Sequence, residues 1–381
     1  MVPSLRSAGW DPSVLARVES KSRLYLAAKA LDPGFRCVRP SAAYDGQFYW
    51  GIAIDPLALG SVHRDFDKPS YRYGHPLYGW LSWLLSAGQA IAVPVSLVVV
   101  GLGSLAAAAM LAVAYAVRRG GSGWEGLFVA LNWGLIVAVS ADLAEPLAAA
   151  LMLGALVALE SGRRWTAWAC LAMLPLAKEP LLVVVAAVVG WELLCGRRRG
   201  AAVFATAIAP AGVWWIYERI HLGAWFTSGT SALGLPFVGW SESLFSAGSE
   251  RHISTLHHAL AVTALVALFF ALTAGTAEAL HIRGPEQLAY LGLAAIAACL
   301  ALNATAAFDT SLRNVSFLVV LLPFVLYARK RGLPPPRRRP RFTRRPVVGR
   351  DSRMGQCSGT TPEEVGATGQ VFAVCVEGWK E

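Results

Sequence analysis

The residues of this chain best suited to chemistry are acids and cations gathered in short polar segments between long apolar ones. Asp45 stands in the run Tyr44-Asp45-Gly46-Gln47-Phe48-Tyr49-Trp50. A carboxylate beside a glycine can take a proton from an attacking hydroxyl, and the glycine allows close backbone approach. The same Asp-Gly pair also reads as a simple turn. Gln47 supplies both donor and acceptor groups for hydroxyls. Arg72, between Tyr71 and Tyr73, carries a planar fork that matches a phosphate bidentately, or else anchors its segment among Tyr71, Tyr73 and His75. Lys178 can share an anion, while Lys178 and Glu179 can equally neutralise each other or mark a helix break before Pro180. Asp142 and Glu145 sit at the border of an apolar stretch, where acids tend to face a cavity or a partner. A helix cap by Asp142, with Glu145 three residues on, is a complete structural alternative. Asp309 and Arg313 are four apart and spaced to pair with each other.

Other chemistries find little support. Asp65-Phe66-Asp67 has the form of a DxD metal motif, but the sequence places no second carboxylate cluster beside it. Asp65 and Asp67 are therefore weak candidates for a divalent metal, and no cofactor is expected. His257 and His258 are adjacent and point in different directions on a helix, so with His252 they make a poor metal site. The six cysteines show no metal spacing. Gly101-Leu102-Gly103 lies inside an apolar run and reads as a packing feature. There is no Walker motif, dinucleotide fingerprint or Ser-His-Asp order.

The segments that must position these groups are membrane helices. The chain has 381 residues, of which 55% are hydrophobic and 15% charged, against about 25% charged in a soluble domain. Its mean hydropathy is +0.49. Ile91–Val117 is 27 residues without a charge, and Gln287–Phe308 is 22; roughly 20 apolar residues cross a bilayer. The expected fold is an all-α polytopic membrane protein with about nine transmembrane helices (7–10). They fall near 91–117, 124–141, 143–160, 165–177, 180–195, 200–220, 256–280, 287–308 and 312–328.

Charge sets the direction. Alternate connections carry Arg118–Arg119, Arg163–Arg164, Arg197–Arg199, Arg283 and Arg329–Arg331, while the other set is poor in Lys/Arg near the spans. The positive-inside rule then puts the C-terminus in the cytoplasm and residues 1–90 outside. Three regions follow: an external segment 1–90, a helical membrane domain 91–328, and a basic, disordered tail 329–381. An interfacial helix is expected around His75–Ser86, with Tyr78, Trp80 and Trp83 at headgroup level. Most of the net charge of +10 sits in the tail: Arg329–Arg350 holds ten Lys/Arg, and the first 328 residues carry only about +3. Anionic headgroups are its nearest partner, and no nucleic acid is needed to account for it.

The run Tyr44–Trp50, followed by Ile54-Asp55-Pro56 and by Asp67-Lys68-Pro69-Ser70-Tyr71-Arg72-Tyr73, resembles a bacterial group of GT-C-like cell-surface glycopolymer proteins. The likeness continues more weakly through Asp142-Leu143-Ala144-Glu145-Pro146 and Leu176-Ala177-Lys178-Glu179, and covers roughly residues 40–330. It implies a GT-C glycosyltransferase that moves a sugar from a polyprenyl-phosphate donor to a cell-envelope glycan or lipid acceptor. Transfer would occur at the outer face of the plasma membrane, with inversion at the anomeric carbon. Asp45 takes the acidic role of the first external loop, as general base or acceptor-positioning group. Gln47, Arg72, Glu145, Lys178 and Glu179 are the expected substrate-binding residues. GT-C chains begin with a helix before that loop, and no window in Met1–Ala43 can span, so the resemblance implies either such a helix upstream of Met1 or an N-terminal segment translocated by its first downstream span. The rival readings are a transporter or flippase of a lipid-linked glycan, which would place polar groups at mid-membrane depth, and a non-catalytic partner in envelope assembly.

Overall fold

A computed structural model describes residues 2–228, 233–246, 255–301 and 312–330. Among them the chain is all helical, and the only extended pairings are isolated bridges at Glu19–Val38 and Leu233–Leu300. The helices are α1 (Val2–Ser7), α2 (Arg23–Leu31), α3 (Gly46–Ile54), α4 (Pro69–Tyr73), α5 (Leu77–Leu85), α6 (Val93–Arg118), α7 (Trp124–Ala130), α8 (Trp133–Val139) and α9 (Glu145–Glu160). They continue with α10 (Arg164–Ala177), α11 (Leu182–Leu194), α12 (Arg198–Ala205), α13 (Ala209–Leu222), α14 (Val238–Ser246), α15 (Thr255–Ala279), α16 (Pro285–Ala298) and α17 (Ser316–Lys330). The expected tail 329–381, Asp309 and His252 fall wholly or largely outside the described residues, as do the side chains of His257 and His258.

Among the described residues three helical stretches are long and apolar enough to cross a membrane: Ala90–Arg118, Arg198–Leu222 and Val262–Ala279. The others are shorter, and the breaks have local causes. The stretch expected as one span over 124–141 is two seven-residue helices. Asn132 stops the first and caps the second by accepting from Leu135 N at 3.2 Å. Gly134 then lets the segment before α17 come close, since a Cβ there would lie 2.3 Å from Leu312 O. Between α10 and α11, Pro180 has no N–H and its ring would meet the carbonyl of Leu176, so Lys178 is extended (φ −160°, ψ 110°).

Within the bundle α9 packs against α6 and α10, and α16 packs against α11, α15 and α17. The apolar core is continuous from Trp50 and Tyr78 through Leu97, Leu153 and Leu174 to Tyr290 and Phe324. Tyr78 is not at an interface as expected: it is fully buried and donates to Leu97 O at 2.7 Å. Gly101 makes room for it, because a Cβ there would sit 3.0 Å from the Tyr78 hydroxyl.

The polar residues collect at the two ends of the bundle. One end joins Arg118 to Ser161, Arg119 to Glu160 and Glu286, and Glu192 to Arg164 and Arg197. These come from the arginine-bearing connections. Glu286 is completely buried, held by Arg119 and by the Tyr115 hydroxyl at 3.0 Å. Breaking a buried pair leaves a stranded charge, at a cost of ~3–5 kcal/mol. Glu286→Gln should fall at the lower edge of that range, because Glu160 stays 3.4 Å from Arg119. The check is thermal unfolding in detergent; an unchanged midpoint would mean that the pair contributes nothing.

Candidate functional site

The other end of the bundle holds the Asp45 run. Residues 12–43 fold over α3, with Asp11 capping the turn Pro12–Ala16 and Ser13 Oγ accepting from Arg36 N at 2.7 Å. Asp45 occupies the capping position of α3, yet its backbone is helical and its side chain caps nothing. The carboxylate turns into a cavity instead. Gly46 is what allows this end of α3 to sit so deep: a Cβ there would lie 2.2 Å from Ala141 O and 3.0 Å from Ala16 O. Both are backbone atoms with little room to move. Gly46→Ala should therefore destabilise the fold by ~1–3 kcal/mol, as overpacking does. A melting temperature equal to that of the parent protein would contradict this packing.

Asp45 is gripped at both oxygens. Arg72 Nη1 donates to Oδ1 at 3.0 Å and Arg313 Nη1 to Oδ2 at 3.0 Å. Arg72 sits on α4, lies over the Phe48 ring at 3.8 Å, and sends its Nε and Nη2 to the two oxygens of Asp67, each at 2.9 Å. Arg313 lies 5.0 Å over the Tyr44 ring and approaches Glu145 Oε1 with Nε at 3.6 Å. Glu145 in turn accepts Lys178 Nζ at 3.0 Å. The result is a chain of alternating charge, Asp67–Arg72–Asp45–Arg313–Glu145–Lys178. Burial alone would raise the Asp45 pKa, but Arg313, Arg72 and Lys178 outweigh it and hold the carboxyl down at about 2. At neutral pH Asp45 is thus a fully ionised but weakened base.

Glu179 leaves this chain. It lies 3.0 Å from His75 Nδ1, off the axis of a hydrogen bond. Burial would push its carboxyl up, but His75 and then Lys178 bring it to about 2. Two tryptophans fix the α4–α5 turn that carries His75. Trp214 Nε1 donates to Tyr73 O at 2.8 Å and Trp215 Nε1 to Gly74 O at 2.9 Å.

The cavity measures about 580 Å³. Its charged and ionisable lining is Asp45, Lys68, Arg72, His75, Glu145, Lys178, Glu179 and Arg313, and its apolar lining includes Leu233, Leu293, Ile296, Leu300, Phe317 and Leu318. Capacity for hydrogen bonding is left over: Tyr49 Oη, Glu145 Oε2 and Arg313 Nε are buried without a hydrogen-bond partner. Buried polar atoms are normally satisfied, so these mark places where a bound molecule or water would gain.

No family model matches this chain, and neither curated proteins nor solved structures show a match.

Of the residues singled out in the sequence, Asp45, Arg72, Glu145, Lys178 and Glu179 line this one cavity. Several expectations are corrected. Gln47 does not line it, and its Oε1 accepts from Glu19 N at 3.4 Å. Lys178 and Glu179 do not neutralise each other, since each has another partner. Asp142 does not cap α9: it is left-handed (φ 49°), wholly buried, and neither carboxylate oxygen has a hydrogen-bond partner. Burial, opposed only by Arg17, raises its pKa well above the usual range. Both oxygens of Asp67 are taken by Arg72, and Asp65 ends the short turn Val62–Asp65. Among the described residues no three His, Cys, Asp or Glu side chains converge as a metal site would need. Sequence reasoning gave Arg313 to Asp309 and passed over Tyr49 and Lys68. An arginine at the edge of an apolar run, where charge is costly, was the available signal for Arg313.

Proposed function

We propose that this protein is a GT-C-type glycosyltransferase that takes its sugar from a polyprenyl phosphate. The observation that carries the reading is the mixed lining of the cavity, in which cations and acids meet leucine, isoleucine and phenylalanine. A molecule matching it is itself divided, with an anionic phosphate, a polar sugar and an apolar chain. A soluble nucleotide sugar would leave the apolar lining unused. The resemblance of the Tyr44–Trp50 run to GT-C-like proteins supports the same class.

In this reading about nine helices span the plasma membrane. The Asp45 end faces outward, and the arginine-rich end and the C-terminus lie in the cytoplasm. Arg72, Arg313 and Lys178 receive the phosphate; Glu145 orients Lys178 and Arg313, and Glu179 orients His75. The acceptor, a cell-envelope glycan or lipid, brings a hydroxyl to Asp45. As its oxygen bonds to the anomeric carbon, the bond from that carbon to the phosphate oxygen breaks. The leaving polyprenyl phosphate keeps the electron pair and the hydroxyl proton passes to Asp45. One displacement with one base inverts the anomeric centre.

The test is transfer itself. Membrane vesicles carrying the protein should move a radiolabelled sugar from a polyprenyl phosphate onto envelope material, whereas vesicles lacking it should not. Equal transfer in both, with the protein present at normal level, would contradict the proposal.

A further inference from the structure

Three cations of this cavity, Arg72, Arg313 and Lys178, already face the chain's own carboxylates. Arg72 spends its fork on Asp67 and its third nitrogen on Asp45. Arg313 spends Nη1 on Asp45 and faces Glu145 with Nε. Lys178 is on Glu145. A phosphate drawn to these three cations must share one with an acid or displace that acid. The acid best placed to yield is Asp45. Its two oxygens are held by two different arginines, and its side chain is 37% exposed toward the cavity. Glu145 by contrast is 1% exposed. Each arginine that Asp45 would release keeps a second acid, Asp67 for Arg72 and Glu145 for Arg313, so neither is stranded.

We infer that Asp45 is an internal stand-in for the donor phosphate, and that binding of a lipid phosphate to Arg72 and Arg313 displaces it and thereby frees it as the base. This rests on the reading of the cavity as a lipid-phosphate site and adds how that site is switched on. The coupling has a direction. A carboxylate that competes for the arginines weakens phosphate binding, and by reciprocity a bound phosphate strips Asp45 of the charges that suppress its basicity. An enzyme built this way holds a poor base until the donor is seated, which protects against proton transfer with no sugar in place. A residue that merely contacts the donor would behave in the opposite sense, because its removal would loosen binding.

The experiment measures binding rather than turnover. The full chain, in nanodiscs, is titrated with a fluorescent polyprenyl monophosphate, and the matching polyprenol without phosphate serves as control. Asp45→Asn should bind the phosphate about tenfold more tightly than the unaltered protein, a coupling within the usual range. Arg313→Gln should bind it more weakly. If Asp45→Asn does not yield a folded, monodisperse protein, Asp67→Asn carries the comparison. Asp67 is about half exposed, pairs with Arg72 and accepts from Lys68 N at 2.8 Å, and its removal should also tighten binding. Phosphate-dependent binding that is unchanged or weaker in the carboxylate variants overturns the stand-in role and leaves the cavity reading intact. If the unaltered protein binds polyprenol and polyprenyl phosphate equally, the cavity reading falls and the inference falls with it.

Discussion

Asp45→Asn should lower sugar transfer from a polyprenyl phosphate by roughly 10²- to 10⁴-fold, the usual range for losing a positioned base, while protein level and folding stay normal. The amide is isosteric and keeps the volume at the α3 start, so Gly46 still seats against Ala141. Arg72 keeps Asp67 and Arg313 keeps Glu145, so no bare charge is left behind. What disappears is a proton-accepting group that faces both arginines. Quantifying labelled product against membrane-inserted protein checks this. Transfer within a few-fold of the parent would remove Asp45 from the reaction. Loss of transfer together with firmer donor binding is a pattern that a general folding defect cannot give.

The second large effect centres on Arg313, the link between the two halves of the charge chain. Replacing it with Gln leaves Asp45 with Arg72 alone on one side and Glu145 with Lys178 alone on the other. Truncating one member of a buried, hydrogen-bonded ion pair costs about 3–5 kcal/mol, and part of that should appear as a lower melting temperature. Arg313→Lys should recover stability in part but not donor binding, because an ammonium cannot serve Asp45 and Glu145 with a planar fork. Comparing melting and donor titration across Arg, Lys and Gln separates the two roles. A lysine variant equal to the parent in both would show that position 313 needs only a positive charge.

How far the sequence carried can be judged from particular residues. Asp45, Arg72, Glu145 and Lys178 were legible because charged side chains are scarce beside apolar stretches and have few reasons to be there. Their convergence was not, since it depends on α3, α4, α9, the α10–α11 break and the segment before α17 meeting at one end. Gln47 failed for a simple geometric reason. Two residues apart on a helix is about 200° of rotation, so with Asp45 facing the cavity Gln47 faces away. Lys178 and Glu179 look like a local pair only because they are adjacent in sequence. In extended backbone, neighbours point to opposite sides, and Pro180 enforces the interruption. Asp142 has the right type and spacing for a cap, but its left-handed backbone buries the carboxylate instead. The stretch 124–141 has the length of one span, and its division turns on the single capping side chain of Asn132.

The most direct test of the central claim is a photo-crosslink. A polyprenyl phosphate with a diazirine in its first isoprene units, incubated with the protein in native membranes, should label peptides containing Leu293–Leu300 and Phe317–Leu318. Excess polyprenyl phosphate should compete and polyprenol should not. Label spread over the lipid-facing helices, or label that polyprenol removes equally well, would contradict a cavity that seats a phosphate on its charged lining and its chain on the apolar lining.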